Sequence, residues 1–548
     1  MNLPKDFEKY FRERWCDEDV EALIRGLDSE PQVSIRLNTR RLHVNAQHKS
    51  TEGMEAVGTS DSTRTAESFV GTEGVEAIRI CGADGQVPWC PEGIYLRKRP
   101  AFTADPMLHA GAYYVQEASS MFLAHVLRSL SGMTNDEPNR MKNDESRSAR
   151  NDEYILPSCS ESNPYSSFVI RHSSLEDSLE GNPYSSFVIR HSSLNDKAAH
   201  PSYALDLCAA PGGKSTLLRS LLPDDCLLVS NEPVRARAQV LAENLAKWGH
   251  PNVIVTQAYA ADITHFIEKN APIAAPFDLI LADVPCSGEG MMRKEEESVR
   301  QWSPAFVAEC AALQRSIVAD IWPALRPGGI LVYSTCTFNP EEDEQNVEWI
   351  ARELGAEVVT IPVDPSWGIR GDLTGGQLPC YHFLPGQVRG EGYFLAVLKK
   401  REDVKENSNS IDSKRASYVE KKKDKRKGKA TKSATFEERL HDALPTLPTT
   451  LLDIPESNDI STSDKRSRHA STMPPTLPRV ELSLTDAIRY LQREALTLPS
   501  DTPRGIVQVC YHGQRLGLMK NLGTRANNLY PKEWRIRSSF VTPMSIIS

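Results

Sequence analysis

Between Ala204 and Lys400, short apolar runs alternate with segments whose apolar residues recur at helix spacing, and this alternation restricts the fold class more than any other feature of the chain. The runs of strand type are Ala204–Ala209, Cys226–Asn231, Val253–Thr256, Phe277–Ala282, Gly329–Ser334 and Tyr393–Leu398. Among them, Ser215–Leu222, Val234–Trp248 and Pro304–Leu325 carry the helical pattern. Repeats of this kind predict a doubly wound, Rossmann-like α/β domain over residues 201–400, with right-handed crossovers. Ligands of such sheets bind in the crevice at the carboxyl ends of the strands, so the residues that follow each run are where chemistry is expected.

At about 150 residues per domain, a chain of 548 residues has room for roughly three or four units. Residues 1–130 read as an N-terminal α+β region with two short helices, the second around Asp19–Gly26, and a strand at Gln32–Asn38. A stretch rich in Ser, Thr, Gly and Glu at 47–76 reads as an insert, and ordered chain resumes by Val87–Leu96. Residues 131–200 are polar and contain NPYSSFVIRHSSL twice, at Asn163–Leu175 and Asn182–Leu194. Two copies are too few to stack into a solenoid, so the segment reads as a duplicated surface insert. Residues 401–474 read as a disordered polar linker, with eight Lys or Arg against one Asp in Lys421–Lys432. A last α+β unit, 475–548, shows a helical pattern at Asp486–Leu496 and strands at Ile506–Cys510 and Leu516–Met519.

Charge matters by domain rather than in total. The chain is net −9, yet its last unit has ten Lys or Arg against five Asp or Glu, which fits a nucleic-acid-binding module in an acidic protein. Hydrophobic content of 40% with 25% charged residues, a mean hydropathy of −0.42 and no apolar segment near the N-terminus predict a cytoplasmic protein without a membrane span. Eleven cysteines without a C-x-x-C pair, and no H-E-x-x-H, predict reduced thiols and no metal.

The first chemical motif is Leu205–Lys214, a strand that runs into a glycine turn and then a helix. Its small residues and the free N–H groups of a helix start suit a ligand that approaches the backbone. Gly213-Lys214-Ser215 has the ending of a phosphate-binding loop, but Cys208 stands where that loop needs its first glycine, so a nucleotide hydrolase is disfavoured. Glu232 follows at the next strand end, where an acid typically takes the ribose hydroxyls of a nucleoside cofactor. Two further strand ends carry Asp283 with Cys286 and then Cys336, so two thiols in polar turns face one crevice. Asn339 reads as the cap of the following helix, Pro340 as its first residue, and Glu341, Glu342 and Asp343 as compensation of its dipole.

Taken in order, Tyr113–Ser120 (YYVQEASS), CAAPGGK at 208–214, NEP at 231–233, DVPCSGEG at 283–290 and STCTFNPEE at 334–342 resemble the Sun-type RNA 5-cytosine methyltransferases. The tail Lys520–Arg535 is similar to the C-terminal domain of the RsmF-like bacterial branch, whose members act on small-subunit rRNA and whose last domain is PUA-like. The resemblance implies S-adenosylmethionine as cofactor and RNA as partner; a monomer is expected. It implies that Cys336 is the nucleophile, that Cys286 assists release, and that Asp283 contacts the base while also bordering the cofactor. Cys208, Ala209, Ala210, Pro211, Gly212, Gly213, Lys214 and Glu232 would hold the cofactor. Where relatives close the third strand with Asp, this chain has Tyr259, and Asp262 is the nearest replacement. The same chemistry on tRNA or 23S rRNA, and an idle RNA-binding assembly factor, are the alternatives.

Overall fold

The computed structural model describes residues 3–42, 78–133, 167–170, 202–270, 275–402, 436–447, 477–537 and 544–547. The insert expected at 47–76, most of the duplicated segment and the basic run Lys421–Lys432 lie outside the described residues.

The nine-stranded central sheet has the order β12-β14-β11-β10-β7-β8-β9-β15, with β13 paired to β14. Its strands are β7 (Tyr203–Asp206), β8 (Leu227–Asn231), β9 (Val253–Thr256), β10 (Phe277–Asp283), β11 (Leu325–Thr335), β12 (Ala356–Val359), β13 (Tyr381–Phe383), β14 (Tyr393–Lys400) and β15 (Thr446–Leu447). The five strands β7 to β11 are parallel, whereas β14 joins β11 antiparallel. This is the doubly wound α/β domain that the alternation predicts. The chain leaves β7 toward β8 on one side and later returns to β10 on the other, so the loops after β7 and β10 part from each other and leave a crevice.

Both faces of the sheet are covered, which explains why its strands are apolar throughout rather than alternating. One face packs against Leu217, Leu218, Leu241 and Leu245 of the helices Gly213–Leu221 and Arg235–Trp248 and against Phe122 and Val126 of the helix Phe122–Met133. The other face packs against Ile263, Phe266, Val318, Ile321, Val347 and Ile350 of the helices Ala260–Asn270, Pro304–Ile321 and Glu344–Glu353.

Within the segment read as linker, the structure places an element that composition hides. Phe436–Ala443 is a helix, and Thr446–Leu447 pairs antiparallel with β9 at the sheet edge. Phe436 and Leu440 are buried, and the Phe436 ring lies 4.7 Å from Tyr203, 6.0 Å from Phe266 and 6.4 Å from Phe277. Polar flanks averaged over seventy residues mask two apolar anchors one helical turn apart.

The terminal units do not stand apart either. In the N-terminal sheet, β1 (Val33–Leu37), β3 (Ala83–Val87), β4 (Cys90–Leu96) and β5 (Tyr113–Val115) run in the order β3-β4-β1-β5. Separately, β2 (Ile78–Cys81) pairs antiparallel with β6 (Ser167–Ile170), so the first copy of the duplicated segment supplies a strand. The C-terminal sheet is β16 (Arg479–Glu481), β17 (Gly505–Tyr511), β18 (Gln514–Asn521) and β19 (Ala526–Asn528), with the helix Leu484–Leu491 beside it. Ile35, Ile94, Met107 and Tyr113 share one apolar cluster with Val480, Tyr490, Val507, Met519 and Tyr530. The N-terminal helices Phe7–Arg12 and Asp17–Leu27 belong to a different cluster, in which Phe7 and Phe11 pack on Trp302 and Phe338 of the α/β domain.

Replacing Phe436 by Ala should lower unfolding free energy by about 3–5 kcal/mol, the usual cost of emptying a buried aromatic site. The check is a urea titration of the full chain, and an unchanged midpoint would show that Phe436–Leu447 adds nothing to the core.

Candidate active site

The crevice between the ends of β7 and β10 gathers the chemically loaded residues. Lys214, one residue into the helix that follows the glycine turn, donates to Asp283 Oδ2 at the end of β10 at 2.9 Å, and Ser334 Oγ donates to Asp283 Oδ1 at 2.8 Å. Burial opposes the Lys214 charge, but Asp283 outweighs it and the ammonium is held above its ordinary range.

The thiols meet directly: Cys286 Sγ and Cys336 Sγ are 2.9 Å apart, and the Cys336 backbone N–H reaches Cys286 Sγ at 3.4 Å. Burial and, above all, the hydrogen bond to Cys336 push the Cys286 thiol well above the usual range. Cys286 therefore holds its proton, and either sulfur can act as donor in the contact between them.

The glycine turn is shaped by its own packing. Gly212 has φ +115°, which a side chain rarely adopts, and a Cβ there would meet Leu241 Cδ1 at 3.2 Å. Pro211 O accepts from Asn244 Nδ2 at 2.8 Å and from Tyr114 OH at 3.3 Å, while Ala210 O accepts from Arg237 Nη2 at 3.2 Å. The Ala209 N–H donates to Asn231 O at 2.8 Å, and Cys208 is half-buried with its thiol raised by burial. Arg36, from the N-terminal sheet, donates to Gly213 O at 3.3 Å and Thr216 Oγ1 at 2.6 Å. At the end of β8, Glu232 is buried, its Oε1 accepts from the Val234 N–H at 3.0 Å, and its Oε2 has no hydrogen bond, with Arg237 3.4 Å away.

Asp262 is not brought into this group. It is exposed on the first turn of Ala260–Asn270, in a groove with Gln257, His265 and Pro445, and Tyr259 before it is 70% exposed. The acidic run after Pro340 also departs from expectation. Asn339 Oδ1 does accept from the Glu342 N–H at 2.9 Å, but the helix starts only at Glu344, and Glu342, Asp343 and Glu344 are buried hydrogen-bond acceptors rather than a solvated dipole partner. Glu342 takes the Ser287 N–H at 3.1 Å and Gln314 Nε2 at 2.6 Å. Asp343 Oδ1 takes the Thr335 and Thr337 hydroxyls at 2.6 and 3.0 Å. Glu344 pairs with His382 at 2.9 Å, and Cys380 completes three ligand-type atoms within 4.8 Å; with the imidazole Nε2 already bonded to the carboxylate, this is a buried acid–imidazole pair.

Sequence reasoning passed over Asp206 and Glu289. Asp206, buried beneath the turn, accepts from Ser215 Oγ at 2.6 Å, and burial pushes its carboxyl up to about 7. Its place at the end of a strand, like that of Asp283, was the available signal.

Three family models match the chain, in this order: the N-terminal domain of 16S rRNA methyltransferase RsmF at residues 58–118, 16S rRNA methyltransferase RsmB/F at 194–399, and the methyltransferase RsmF PUA domain at 477–536. A protein of Cronobacter sakazakii described as ribosomal RNA small subunit methyltransferase F is 36% identical over 207 residues, which is 37% of this chain and 41% of that protein. One of the same description from Serratia proteamaculans is 37% identical over 210 residues, 38% of this chain and 42% of its own. The matched region thus spans about two fifths of these relatives. A solved structure described as NSun6 from Pyrococcus horikoshii with SFG aligns with TM-score 0.44 and 17% identity, over 73% of this chain and 99% of that one.

Iodoacetamide at pH 7–8 should modify Cys336 well before Cys286, because the Cys286 proton is held. In Cys336→Ala the main cause of the raised Cys286 value is gone, so the pH midpoint of Cys286 alkylation should move down toward an ordinary thiol. Mass spectrometry of the alkylated peptides reads both outcomes, and an unmoved midpoint contradicts the shared-proton arrangement.

Proposed function

We propose that this chain, which belongs to the RsmB/F family of 16S rRNA methyltransferases, transfers a methyl group from S-adenosylmethionine to carbon 5 of a cytosine in small-subunit rRNA. The observation that carries the reading is the thiol pair 2.9 Å apart, beside the Asp283–Lys214 pair, at the switch point of the sheet. Ribosomal RNA as substrate makes the cytoplasm its place of work, and among the described residues no helix is long and apolar enough to cross a membrane.

The residues at the ends of β7 and β8 fit the cofactor. Glu232 keeps one buried carboxylate oxygen without a hydrogen bond, which suits a ribose hydroxyl, and the turn Cys208–Lys214 presents backbone beside it. When bound, S-adenosylmethionine supplies an electrophilic methyl on a sulfonium.

Carbon 5 of cytosine is too weak a nucleophile unaided, and covalent catalysis supplies the remedy. The Cys336 thiolate forms a bond to carbon 6, and the ring's C5–C6 electrons shift to carbon 5, which takes the methyl group. Asp283, held by Lys214 and Ser334, contacts the base edge near N3 and accepts from the exocyclic amino group there, which orients the ring for attack. Once Cys336 sulfur is bonded to carbon, it no longer accepts the Cys286 proton, so the main cause holding that thiol protonated disappears. Cys286 then gives its own proton to solvent and its thiolate removes the carbon 5 proton, the C5–C6 double bond re-forms, and the Cys336–carbon 6 bond breaks with its electrons returning to the Cys336 sulfur.

The C-terminal unit would hold RNA by charge rather than by stacking. Tyr530 is only 1% exposed, within the core shared with the N-terminal sheet, and Trp534 lies under Lys247 Nζ at 5.3 Å, so neither ring stands free for a base. Lys520, Arg525, Lys532, Arg535 and Arg537 remain exposed.

Cys336→Ala should abolish methylation while S-adenosylmethionine affinity stays within a few-fold, and Cys286→Ala should accumulate a covalent protein–RNA complex visible on denaturing gels. Bisulfite sequencing of rRNA and tRNA from a deletion strain tests the substrate; loss of 5-methylcytosine from tRNA or 23S rRNA alone would redirect it. The double change Lys520→Glu and Arg525→Glu should weaken rRNA binding about tenfold or more at moderate salt and flatten its salt dependence. Unchanged filter binding would remove that surface from the RNA path.

A further inference from the structure

One buried carboxylate joins the two thiol-bearing loops and takes no part in the chemistry above. Glu289, three residues after Cys286, has zero exposure and faces four N–H donors. Its Oε2 accepts from the backbone N–H groups of Phe338 at 2.7 Å and Asn339 at 3.0 Å. Its Oε1 accepts from Trp302 Nε1 at 2.8 Å and Asn339 Nδ2 at 2.9 Å. Phe338 and Asn339 are the second and third residues after Cys336, and the Gly290 N–H also donates to Cys336 O at 2.8 Å. The loop is thus gripped at residues 336, 338 and 339 by the segment 289–290.

The opposite side of the grip is steric. A Cβ on Gly392 would lie 2.0 Å from Phe338 Cε1, and one on Gly290 would lie 2.4 Å from Gly392 O, so the Phe338 ring, Gly392 and Gly290 are stacked without slack. Phe338 is fully buried, with the Phe11 ring 6.4 Å away.

Only a carboxylate satisfies this set. Both of its oxygens accept, whereas glutamine would have to turn an NH2 group toward two N–H donors. The ionised form is the one that fits, although burial, with the Glu342 charge next in weight, pushes the Glu289 carboxyl up to about 7.

We infer that Glu289 is a positioning residue that fixes the Cys336 loop, and hence the Cys336 sulfur, against Cys286 and the target base. The inference rests on the methyltransferase reading for its consequence, since misplacing a reacting atom by about 1 Å can cost about 100-fold in rate. The geometry of the grip itself does not depend on that reading.

The test is Glu289→Gln in the full chain, with two readouts. The first is single-turnover formation of the protein–RNA adduct on small-subunit rRNA carrying 5-fluorocytosine, whose carbon 5 has no proton to release, so the adduct persists. The variant should form it about tenfold or more slowly, with S-adenosylmethionine and RNA dissociation constants within about twofold of wild type. The second is alkylation by iodoacetamide: the preference for Cys336 over Cys286 should shrink in the variant. Wild-type adduct rates and wild-type selectivity in Glu289→Gln overturn the inference. Absence of adduct with the wild-type protein overturns the methyltransferase reading instead, and alkylation selectivity then still decides the role of Glu289. Should the variant not fold, hydrogen exchange of the wild-type protein decides. Phe338 and Asn339 amides protected about 100-fold or more over an unstructured peptide support the grip, and unprotected amides overturn it.

Discussion

The contact on which the site depends is the ion pair between Lys214 and Asp283. A doubly wound sheet opens a crevice where its connections diverge, and that crevice is useful only if its walls are held at a fixed separation. Lys214 is the second residue of the helix after β7, Asp283 ends β10, and their 2.9 Å contact spans the divergence. Both groups are largely removed from water, with 18% and 28% of their side chains exposed, so neither charge is affordable without the other. Ser334 on β11 binds the second carboxylate oxygen, so three neighbouring strand ends share one polar junction. The thiol pair lies just beyond it, carried by the loops that leave β10 and β11.

The sheet was legible from sequence because its strands are buried on both faces and therefore read as unbroken apolar runs. Val253–Thr256 falls where the run predicts, and β10 extends one residue further, to Asp283. The junction residues were legible because each follows a run and is of a type that chemistry uses. The limits come from interactions that composition cannot see. Phe436 and Leu440 are two apolar residues in a polar stretch, and only the sheet edge they cover gives them meaning. Tyr530 stands among Arg and Lys in the sequence, yet it belongs to a core whose other half, Tyr113 and Met107, lies about four hundred residues earlier.

Acidic residues were misread for a related reason. A carboxylate in a helix's first turn is ordinarily solvated, and sequence offers no way to count the donors that would make burial tolerable. Here the donors come from distant segments: Ser287 and Gln314 for Glu342, Thr335 and Thr337 for Asp343, and Trp302, Phe338 and Asn339 for Glu289. The acids are thus the pins of the loops rather than their surface. Asp262 is the reverse case: a residue of the right type near a strand end, but on the first turn of a helix and out in water.

The same pinning reaches beyond the α/β domain. Arg36 and Tyr114 belong to the N-terminal sheet, and both bond the glycine turn, at Gly213 O and Pro211 O. That sheet in turn shares its core with the C-terminal unit, through Tyr113, Met107 and Tyr530. One continuous apolar cluster thus joins the C-terminal unit to the strand whose Tyr114 side chain touches the turn proposed to hold the cofactor. The glycine turn is thus held by the α/β domain and the N-terminal sheet together, and removing the C-terminal unit would expose the core of that sheet as well as take away positive charge.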